Sequence, residues 1–575
     1  MKKQFNDNMI VVLLIVCKYL FLKYEYHGIM KEIFIEDQVA LACHRALNLQ
    51  NQDPLSATCG CFDRRFWAWK LIDYPEATFQ RLILPLCWYA QIEKNSLLQN
   101  KFHLAVYCGL KYALQIQHQD GSFDQAYPHE HSFGATAFLL HPLQVAFEYL
   151  LPTLDKEDQT LFENSLLRSA QFLCDHKEQH AFISNHLAGC ALALLETGNY
   201  FNEPGFIERA EGLLGRILEK QSPEGWYLEY EGADAGYQTL CVDYLAQFYR
   251  INASVTLLES LERSATFLSF FAQPDGTFGG EYGSRRTAVY YPGGLALLAD
   301  EIPAAAGLHL SMLKNIEKGA TVRVTDIDVG NLAPLLSSTM LMHKAQIHLM
   351  EQPNPLPWQQ DALEQEFPAA GFYVKGNKNY YSVLGASNGG VCKVWDKNQA
   401  ALVYDDCGLL VHLKNGKYLT SQHTSSDFTF HCDGHQVDLT APMIAFHPIQ
   451  QSTGKFILLR LANVTLMRIP FLNELVKKGL AKLLVKPAYK KQLIRHMRIV
   501  YKDGQIVIEE TLSGKAVNKI NRISVASAFT AIHMASARYP LSTSGLGKET
   551  AINYRKEQGK ITWKNMITMY AEGKE

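Results

Sequence analysis

The chain has 575 residues, 47% of them hydrophobic, so it is too long for one hydrophobic core and roughly two to four folding units are expected. Its 55 lysines and arginines nearly balance its 57 aspartates and glutamates, which gives a formal net charge of -2. This balance excludes a strongly basic protein, and no nucleic acid is predicted as a partner. A local basic groove for an acidic polymer stays compatible with it, because net charge does not report how charges are distributed.

Residues 1–30 carry conflicting signals. Lys2 and Lys3 precede an apolar run from residue 9 to 22 that Lys18 interrupts, as in a signal sequence or a short anchor. The run is too short to span a bilayer, so no integral membrane span is predicted. The alternative is that translation starts at Met30.

The 12 scattered cysteines lack zinc-ligand spacing and favour a reducing compartment. We therefore favour a cytoplasmic location, or a periplasmic one if the segment is a real signal.

Residues 31–350 show helical spacing of apolar residues, interrupted by short loops. Three loops place an aromatic residue shortly after a glycine turn, at Gly121, Gly225 and Gly276, which are 104 and 51 residues apart. The first gap is about twice the second, so a repeat of about 50 residues is predicted, with a further loop at residues 175–184. Two helices per repeat, burying their faces by stacking, predict an (α/α) toroid of helical hairpins with the loops at its mouth.

The composition changes after residue 350. Closely spaced prolines predict a linker over residues 351–370, and residues 371–575 contain short β-rich runs that predict an antiparallel β-sandwich. Two such runs flank residues 502–505, which predicts a β-hairpin there. Residues 470–490 are predicted to form a basic surface helix. The fold class is therefore multidomain α and β, a toroid followed by a β-sandwich.

Two clusters in the predicted toroid can carry chemistry. Asn185 and His186 begin an apolar helix at the predicted mouth, where they can face a ligand, although Asn185 can instead simply cap the helix. The loop that follows Trp226 is rich in tyrosines and acids, which suit hydrogen bonding and proton transfer to sugars. From this loop Glu229 and Glu231 are candidate substrate-binding residues and Tyr237 is a candidate catalytic residue.

Three further segments add candidates for substrate binding. Arg285 and Arg286 can grip a carboxylate by paired hydrogen bonds or can pair with neighbouring acids. The other candidates are aromatic residues suited to sugar stacking: Trp67, Tyr127 and Tyr282.

His129 and His131 form an H-x-H pair that can ligate a metal. Isolated pairs of this kind are more often ordinary surface or core histidines, so no metal site and no cofactor is predicted.

With its toroid, its Asn185-His186 pair, the Tyr237 loop 51 residues after His186 and its β-sandwich, the chain resembles the heparinase II/III-like and oligoalginate lyase superfamily. This resemblance implies cleavage of uronic-acid polysaccharides by β-elimination. It implies that Asn185 and His186 neutralise the uronate carboxylate and that Tyr237 acts as acid or base.

One feature departs from that family. The resemblance implies a catalytic histidine early in the β domain, but residues 387–396 contain none. His412, His423 and His431 are candidates to replace it. Two alternatives stay open: a glycoside hydrolase that uses Glu229, Glu231 or Asp234, since that chemistry needs two nearby carboxyls, and a saccharide-binding protein without catalysis.

Overall fold

The structure is a computed structural model that describes residues 33–178, 182–345, 353–446, 452–469, 472, 491–502, 504–525, 550–557 and 559–569. The segment at residues 1–30 lies outside these ranges. So does the predicted basic helix at 470–490, except for residue 472. Within the described ranges, none of the helices combines the length and the apolar character that crossing a bilayer requires.

The first part of the chain is helical. Its elements, in chain order, are α1 Ile35–Leu49, α2 Arg64–Trp67, a 3-10 helix Ala77–Leu82, α3 Ile83–Ile92, α4 Ser96–Ile116, α5 Phe133–Leu150, α6 Lys156–Asp175, α7 Ser184–Phe201, α8 Pro204–Lys220, α9 Ala235–Ile251, α10 Val255–Ser269, α11 Gly293–Leu297, α12 Pro303–Lys318 and α13 Val329–Lys344.

These helices form two concentric rings. The inner ring runs α3, α5, α7, α9, α11, α13, and α13 packs back against α3 to close it. The outer ring consists of α1, α4, α6, α8, α10 and α12. Inner helices are apolar on most sides, whereas the outer helix α8 buries one face through Phe206, Ala210, Leu213, Leu214 and Ile217. The predicted (α/α) toroid is confirmed, and a loop lies at the predicted position between α6 and α7.

A glutamine at the end of an outer helix recurs around the ring. Each side-chain Nε2 donates to the carbonyl of the following turn glycine and to a carbonyl of the next outer helix. Gln117 reaches Gly121 and Ser165 (3.2 and 2.9 Å), and Gln221 reaches Gly225 and Ser260 (3.2 and 3.0 Å). Gln50 makes the same pair of bonds. These side chains fasten successive hairpins at the mouth, where backbone carbonyls would otherwise lack partners.

The second part of the chain is an antiparallel β domain. Its strands are β1 Ala362–Phe367, β2 Phe372–Asn377, β3 Tyr380–Gly385, β4 Val391–Asp396, β5 Ala401–Asp406, β6 Leu409–Leu413, β7 Tyr418–Thr420, β8 Thr429–Cys432, β9 Gln436–Phe446, β10 Leu493–Lys502, β11 Gln505–Ser513, β12 Ile520–Val525, β13 Thr550–Ala551, β14 Arg555–Glu557 and β15 Lys560–Thr568, with helix α14 Thr453–Val464 between β9 and β10.

Strands β1 to β5 form one sheet in sequence order, and the other strands form a second sheet. One face of the first sheet, including Phe372 and Trp395, joins the toroid core, and its other face, including Tyr373 and Val394, packs on the second sheet. The predicted sandwich is therefore confirmed, with its first sheet lying between the toroid and the second sheet. The predicted hairpin is also present, since Lys502 of β10 is opposite Gln505 of β11.

The start of the β domain differs from the prediction. Strand β1 lies inside the segment 351–370 that was predicted as a linker. Its sequence, Ala-Leu-Glu-Gln-Glu-Phe, has no β-branched residue, and most of its side chains are partly or fully exposed. Pairing with β2 from Ala362 opposite Asn377 to Phe367 opposite Phe372 supplies the register that the sequence does not reveal.

The positive φ angles of the turn glycines lead to a prediction about the free energy of unfolding. Gly225 has φ +99°, and a Cβ there would lie 2.3 Å from the carbonyl oxygen of Arg263. We expect Gly225→Ala to lower the free energy of unfolding by about 2 kcal/mol or more. In the matched control Gly215→Ala, on the exposed side of α8 with no atom within 4 Å of the added Cβ, we expect a gain of roughly 0.5 to 1 kcal/mol. Urea unfolding followed by tryptophan fluorescence measures both, and equal effects would refute the role assigned to the turn.

Candidate active site

Glu229 joins the loop before α9 to the start of α7. Its Oε1 accepts a hydrogen bond from the backbone N–H of Asn185 (2.9 Å) and its Oε2 accepts one from Asn185 Nδ2 (2.8 Å). Ser284 Oγ donates to the backbone carbonyl of Glu229 (3.0 Å). The carboxyl is fully buried, and burial raises its pKa to about 8 against the opposing effect of the Asn185 hydrogen bonds. Asn185 is therefore held by Glu229, and the residue that precedes α7 as its cap is Ile183.

Asp234 joins the same loop to the segment before α11. Its Oδ1 accepts a hydrogen bond from the backbone N–H of Tyr237 (3.0 Å), so Asp234 caps the start of α9. Its Oδ2 accepts hydrogen bonds from the backbone N–H groups of Arg285 (2.8 Å) and Thr287 (3.3 Å). The carboxyl is fully buried, which raises its pKa, and the three backbone hydrogen bonds act in the opposite direction. One side chain thus fixes the backbone positions of both Tyr237 and Arg285.

Tyr237 and Arg285 are the two residues whose backbones this carboxyl group holds. The side chain of Tyr237 is partly exposed; burial raises the pKa of its phenol and the charge of Arg285 lowers it. The Arg285 guanidinium lies over the ring of Tyr230, 4.1 Å from its centroid. Within the described residues this guanidinium forms no ion pair, and its Nε has no hydrogen-bond partner. The guanidinium is close enough to the buried Glu229 and Asp234 for its charge to lower their pKa values, but it contacts neither carboxyl directly, so it is suited to bind an anionic ligand.

His186 lies one residue beyond Asn185 on α7. Its Nδ1 is 2.8 Å from Glu178 Oε2, and its ring makes an edge contact with Phe138 at 4.9 Å. An Nδ1–H donated to Glu178 leaves Nε2 unprotonated in the neutral ring, so it can accept a proton. Gly134, at the start of α5, makes room for the ring, because a Cβ there would lie 2.9 Å from Nδ1.

Arg81 and Tyr244 extend the site into the toroid, and sequence analysis did not identify them. The Arg81 guanidinium lies 5.3 Å from the ring centroid of Phe138, and Phe138 stacks on Tyr244 at 5.9 Å. Burial raises the pKa of Tyr244 to about 12, and Arg81 lowers it. Arg81 donates through Nε to the backbone carbonyl of Thr78 and, within the described part of the chain, has no carboxylate partner. Arg81 lies in the last turn of the 3-10 helix Ala77–Leu82, and no sequence motif around it marks it as a candidate.

The β domain approaches the site through the loop after β7. Thr424 Oγ1 donates to the backbone carbonyl of Ser284 (3.2 Å) and to Asn388 Oδ1 (2.9 Å). Burial and, to a smaller extent, the charge of Arg286 lower the pKa of His423 to about 4 against the opposing effect of a backbone hydrogen bond with Ser421. Burial likewise lowers the pKa of Arg286 to about 10. Of the three histidines considered as replacements, His423 is therefore the one beside the arginine segment.

His412 and His431 lie elsewhere in the β domain. His412 packs its ring against Tyr418 at 4.6 Å, and His431 is exposed on β8.

Two predicted substrate-binding residues are buried, and those predictions are corrected. Glu229 is 0% exposed and its oxygens are occupied by Asn185. Tyr282 is also 0% exposed, with its hydroxyl bonded to Gly279 and Gln273 beneath the β domain. Asp234 is equally inaccessible to solvent. Of the three acids that a hydrolase could use from this loop, only Glu231 is exposed, whereas that chemistry needs two carboxyls.

The other predicted binding residues keep partial access to solvent. Trp67 is half-buried on α2, where its Nε1 donates to the carbonyl of Leu49 and the Arg64 guanidinium lies over its ring. Tyr127 is half-buried in the loop between α4 and α5. Their contact with substrate stays a prediction.

The burial of Glu229 predicts a specific pH dependence of stability. Between the ordinary pKa of a glutamate and about pH 8, the Glu229 carboxyl is ionised in the unfolded chain but protonated in the folded one. The free energy of unfolding therefore falls as the pH rises through this range. Glu229→Gln stays neutral, and Asn185 Oδ1, which is buried without a partner, can accept from the new amide after the Asn185 amide rotates. We expect the variant to gain stability relative to wild type between pH 5 and 8, by up to about 1 kcal/mol per pH unit.

Thermal and urea unfolding at several pH values measure this difference. The matched control Glu231→Gln removes a carboxyl at an exposed position of the same loop, and its stability should follow the wild-type curve. A Glu229→Gln curve that also runs parallel to wild type would contradict the buried, protonated carboxyl.

Part of the chain is similar to a known protein family. Residues 78–295 match the family model described as the ulvan lyase N-terminal domain, and this range contains Arg81, Asn185, His186, Tyr237 and Arg285. A search of curated protein sequences finds no significant match.

Solved structures show similarity over most of the chain. The chondroitin AC lyase of Streptomyces coelicolor A3, solved in complex with chondroitin sulphate, is 12% identical with a TM-score of 0.53, covering 87% of this chain and 69% of that chain. A heparan sulfate lyase HepC mutant from Pedobacter heparinus is 12% identical with a TM-score of 0.42, covering 87% and 71%. At these identities the likeness concerns the fold, and the fold assignment rests on the first structure. The predicted resemblance to polysaccharide lyases that combine an α/α toroid with an antiparallel β domain is thus confirmed.

Proposed function

We propose that this protein is a polysaccharide lyase that cleaves an acidic, uronate-containing polysaccharide by β-elimination. The match to an ulvan lyase domain and the shared fold with a chondroitin lyase support this assignment. Fold alone does not define an activity, so the residues of the mouth must carry the argument.

The observation that carries the proposal is the arrangement of Tyr237 and Arg285 on Asp234. Both backbone N–H groups bond the same buried carboxyl, which holds the two backbones next to each other, and the Arg285 guanidinium is close enough for its charge to act on the Tyr237 phenol. A guanidinium binds a carboxylate through two parallel hydrogen bonds. Arg285 would therefore bind the uronate carboxylate and make the adjacent C5 proton more acidic.

His186 is suited to remove that proton. Its Nδ1 is oriented by Glu178, and the opposite nitrogen can act as the base. The C5–H electrons then form the C4–C5 double bond as the bond from C4 to the glycosidic oxygen breaks. Tyr237, whose raised pKa keeps its phenol protonated, donates a proton to the leaving oxygen. The products are an unsaturated uronate and a chain with a free hydroxyl.

Asn185 takes a different part from the one that the family resemblance implies. Its Nδ2 is already bonded to Glu229 and its side chain is 1% exposed. We assign it a positioning role: through Glu229 it ties the start of α7, and so His186, to the loop that leads to Tyr237. Neutralising the substrate carboxylate falls to Arg285, with Arg81 as a second cation deeper in the toroid.

His423 and Arg286 would border the site from the side of the β domain. The low pKa of His423 keeps its imidazole neutral, so it adds no positive charge there. The compartment in which the protein acts stays a prediction, with the cytoplasm favoured.

Tyr237→Phe tests the acid directly. Removing the hydroxyl should lower kcat by at least about 100-fold, which is the lower range for loss of a general acid or base. KM should change little, because the uronate would still be bound by Arg285. The readout is the near-ultraviolet absorbance of the unsaturated product with ulvan, chondroitin sulphate and heparan sulphate as substrates.

The matched control is Tyr200→Phe, which removes a phenol from the far end of α7 and should leave the rate unchanged. Wild-type turnover that survives in Tyr237→Phe would eliminate Tyr237 as the acid. Absence of any unsaturated product on every polymer, combined with measurable saccharide affinity, would favour the binding-protein alternative.

A further inference from the structure

Three histidines converge in the loop between α4 and α5, outside the catalytic residues proposed above. Each of His118, His129 and His131 offers a ring nitrogen, and these nitrogens all lie within 4.8 Å of one another. The His118 and His131 rings are stacked 4.2 Å apart, and the His118 and His129 rings are 5.5 Å apart. Three imidazoles this close favour a shared ligand over three separate surface positions.

Asp124 organises this loop. Its Oδ1 lies 2.8 Å from His118 Nε2 and accepts the backbone N–H of His131 (3.1 Å), while its Oδ2 accepts the backbone N–H of His129 (2.7 Å). Glu130 Oε2 accepts two further backbone N–H groups of the loop, from Gln125 and Ala126. The positions of all three histidines thus depend on one carboxylate.

The backbone is held in an unfavourable conformation to achieve this. His129 has φ 58° and His131 has φ 51°, both in the left-handed region that residues other than glycine seldom adopt. Such conformations are energetically costly for a residue with a Cβ atom, and they concentrate at functional sites. The hydrogen bonds to Asp124 and Glu130 offset that cost, and the outcome is that His129 and His131 are both directed toward His118.

Two of the rings carry the outer hydrogen bonds typical of metal ligands. His118 bonds Asp124 through Nε2, and His131 bonds Asp120 (2.7 Å) and Ser122 (2.8 Å) through Nδ1. The opposite nitrogens, Nδ1 of His118 and Nε2 of His131, then remain for a ligand. Carboxylates behind the rings fix their orientation and make the ligating nitrogen more basic.

We propose that His118, His129 and His131 form a binding site for one Zn²⁺ ion, with the remaining coordination position taken by water. Three imidazoles are a typical zinc donor set with an open fourth position. Zinc–nitrogen bonds of about 2.0 Å require the nitrogens to be closer together than 4.8 Å, so binding would draw the three rings toward one another. The ion would clamp the loop that leads into α5, the helix whose Gly134 lies beneath His186. This inference does not depend on the lyase assignment.

A second cluster, Glu364, Glu366 and Cys432, provides the competing location. Glu364 is already paired with Lys375 Nζ (3.0 Å), and both glutamates are exposed. Since an ammonium group occupies the site, a divalent cation would have to displace it. We therefore place the ion on the histidines.

The test uses tag-free full-length protein, treated with a chelator and titrated with Zn²⁺ by calorimetry and with Co²⁺ by visible absorption. We expect one ion per chain. His118→Gln and His131→Gln should each weaken binding at least tenfold, and Asp124→Asn about 10- to 100-fold. The matched control His431→Gln, on exposed β8, should leave affinity unchanged.

Several outcomes would overturn the proposal: no bound ion in the wild type, full affinity in His118→Gln and His131→Gln, or loss of binding in Cys432→Ser. Circular dichroism of each variant shows whether it is folded. If the histidine variants do not fold, X-ray absorption of the zinc-loaded wild type decides the matter. Imidazole nitrogens at about 2.0 Å support the site, whereas a sulfur ligand at about 2.3 Å refutes it.

Discussion

The candidate site depends on two carboxyl groups that no substrate can reach. Glu229 and Asp234 are both fully buried, and their oxygens accept hydrogen bonds from three separate segments of chain: the start of α7, the start of α9 and the segment before α11. Burying a carboxyl is costly unless its oxygens are satisfied, so each acid strongly favours the one loop arrangement that supplies these N–H groups. His186, Tyr237 and Arg285 are held together as a result.

The same device recurs at the neighbouring loop, where Asp124 collects backbone N–H groups from His129 and His131 together with the His118 ring. The glutamines at the ends of outer helices act similarly with an uncharged side chain, whose amide donates to backbone carbonyls of the turns. In each case a side chain satisfies backbone groups of a loop that regular secondary structure leaves unpaired. The toroid can therefore carry polar loops on a rigid ring of helices. The β domain supports the Arg285 segment through Asn388, which lies between β3 and β4 of the first sheet, and through Thr424, which follows β7 of the second sheet.

Much of this organisation could be predicted from the sequence. Periodic glycine turns predicted the toroid, because each turn requires a positive φ that only glycine adopts readily. The hairpin at residues 502–505 followed from β-rich runs flanking a turn. The sequence also singled out Asn185, His186, Tyr237 and Arg285 as candidates, and Glu229 and Asp234 connect the segments that carry them. It could not show that Glu229 and Tyr282 are buried, because the same residue types occur in loops that bind a ligand and in loops where they hydrogen-bond the loop's own backbone. Arg81 was missed for a related reason: it contacts Phe138, which is far from it in the sequence, only when the helices of the ring pack together.

The central claim is that the loops held by Glu229 and Asp234 cleave a uronate polymer by elimination and not by hydrolysis. The most direct measurement is mass spectrometry of products formed in water enriched in heavy oxygen. An elimination adds no water, so the account predicts products that carry no label from the solvent and that lack the elements of water relative to hydrolysis products. Incorporation of one solvent oxygen per bond cleaved would contradict the account and identify the protein as a hydrolase.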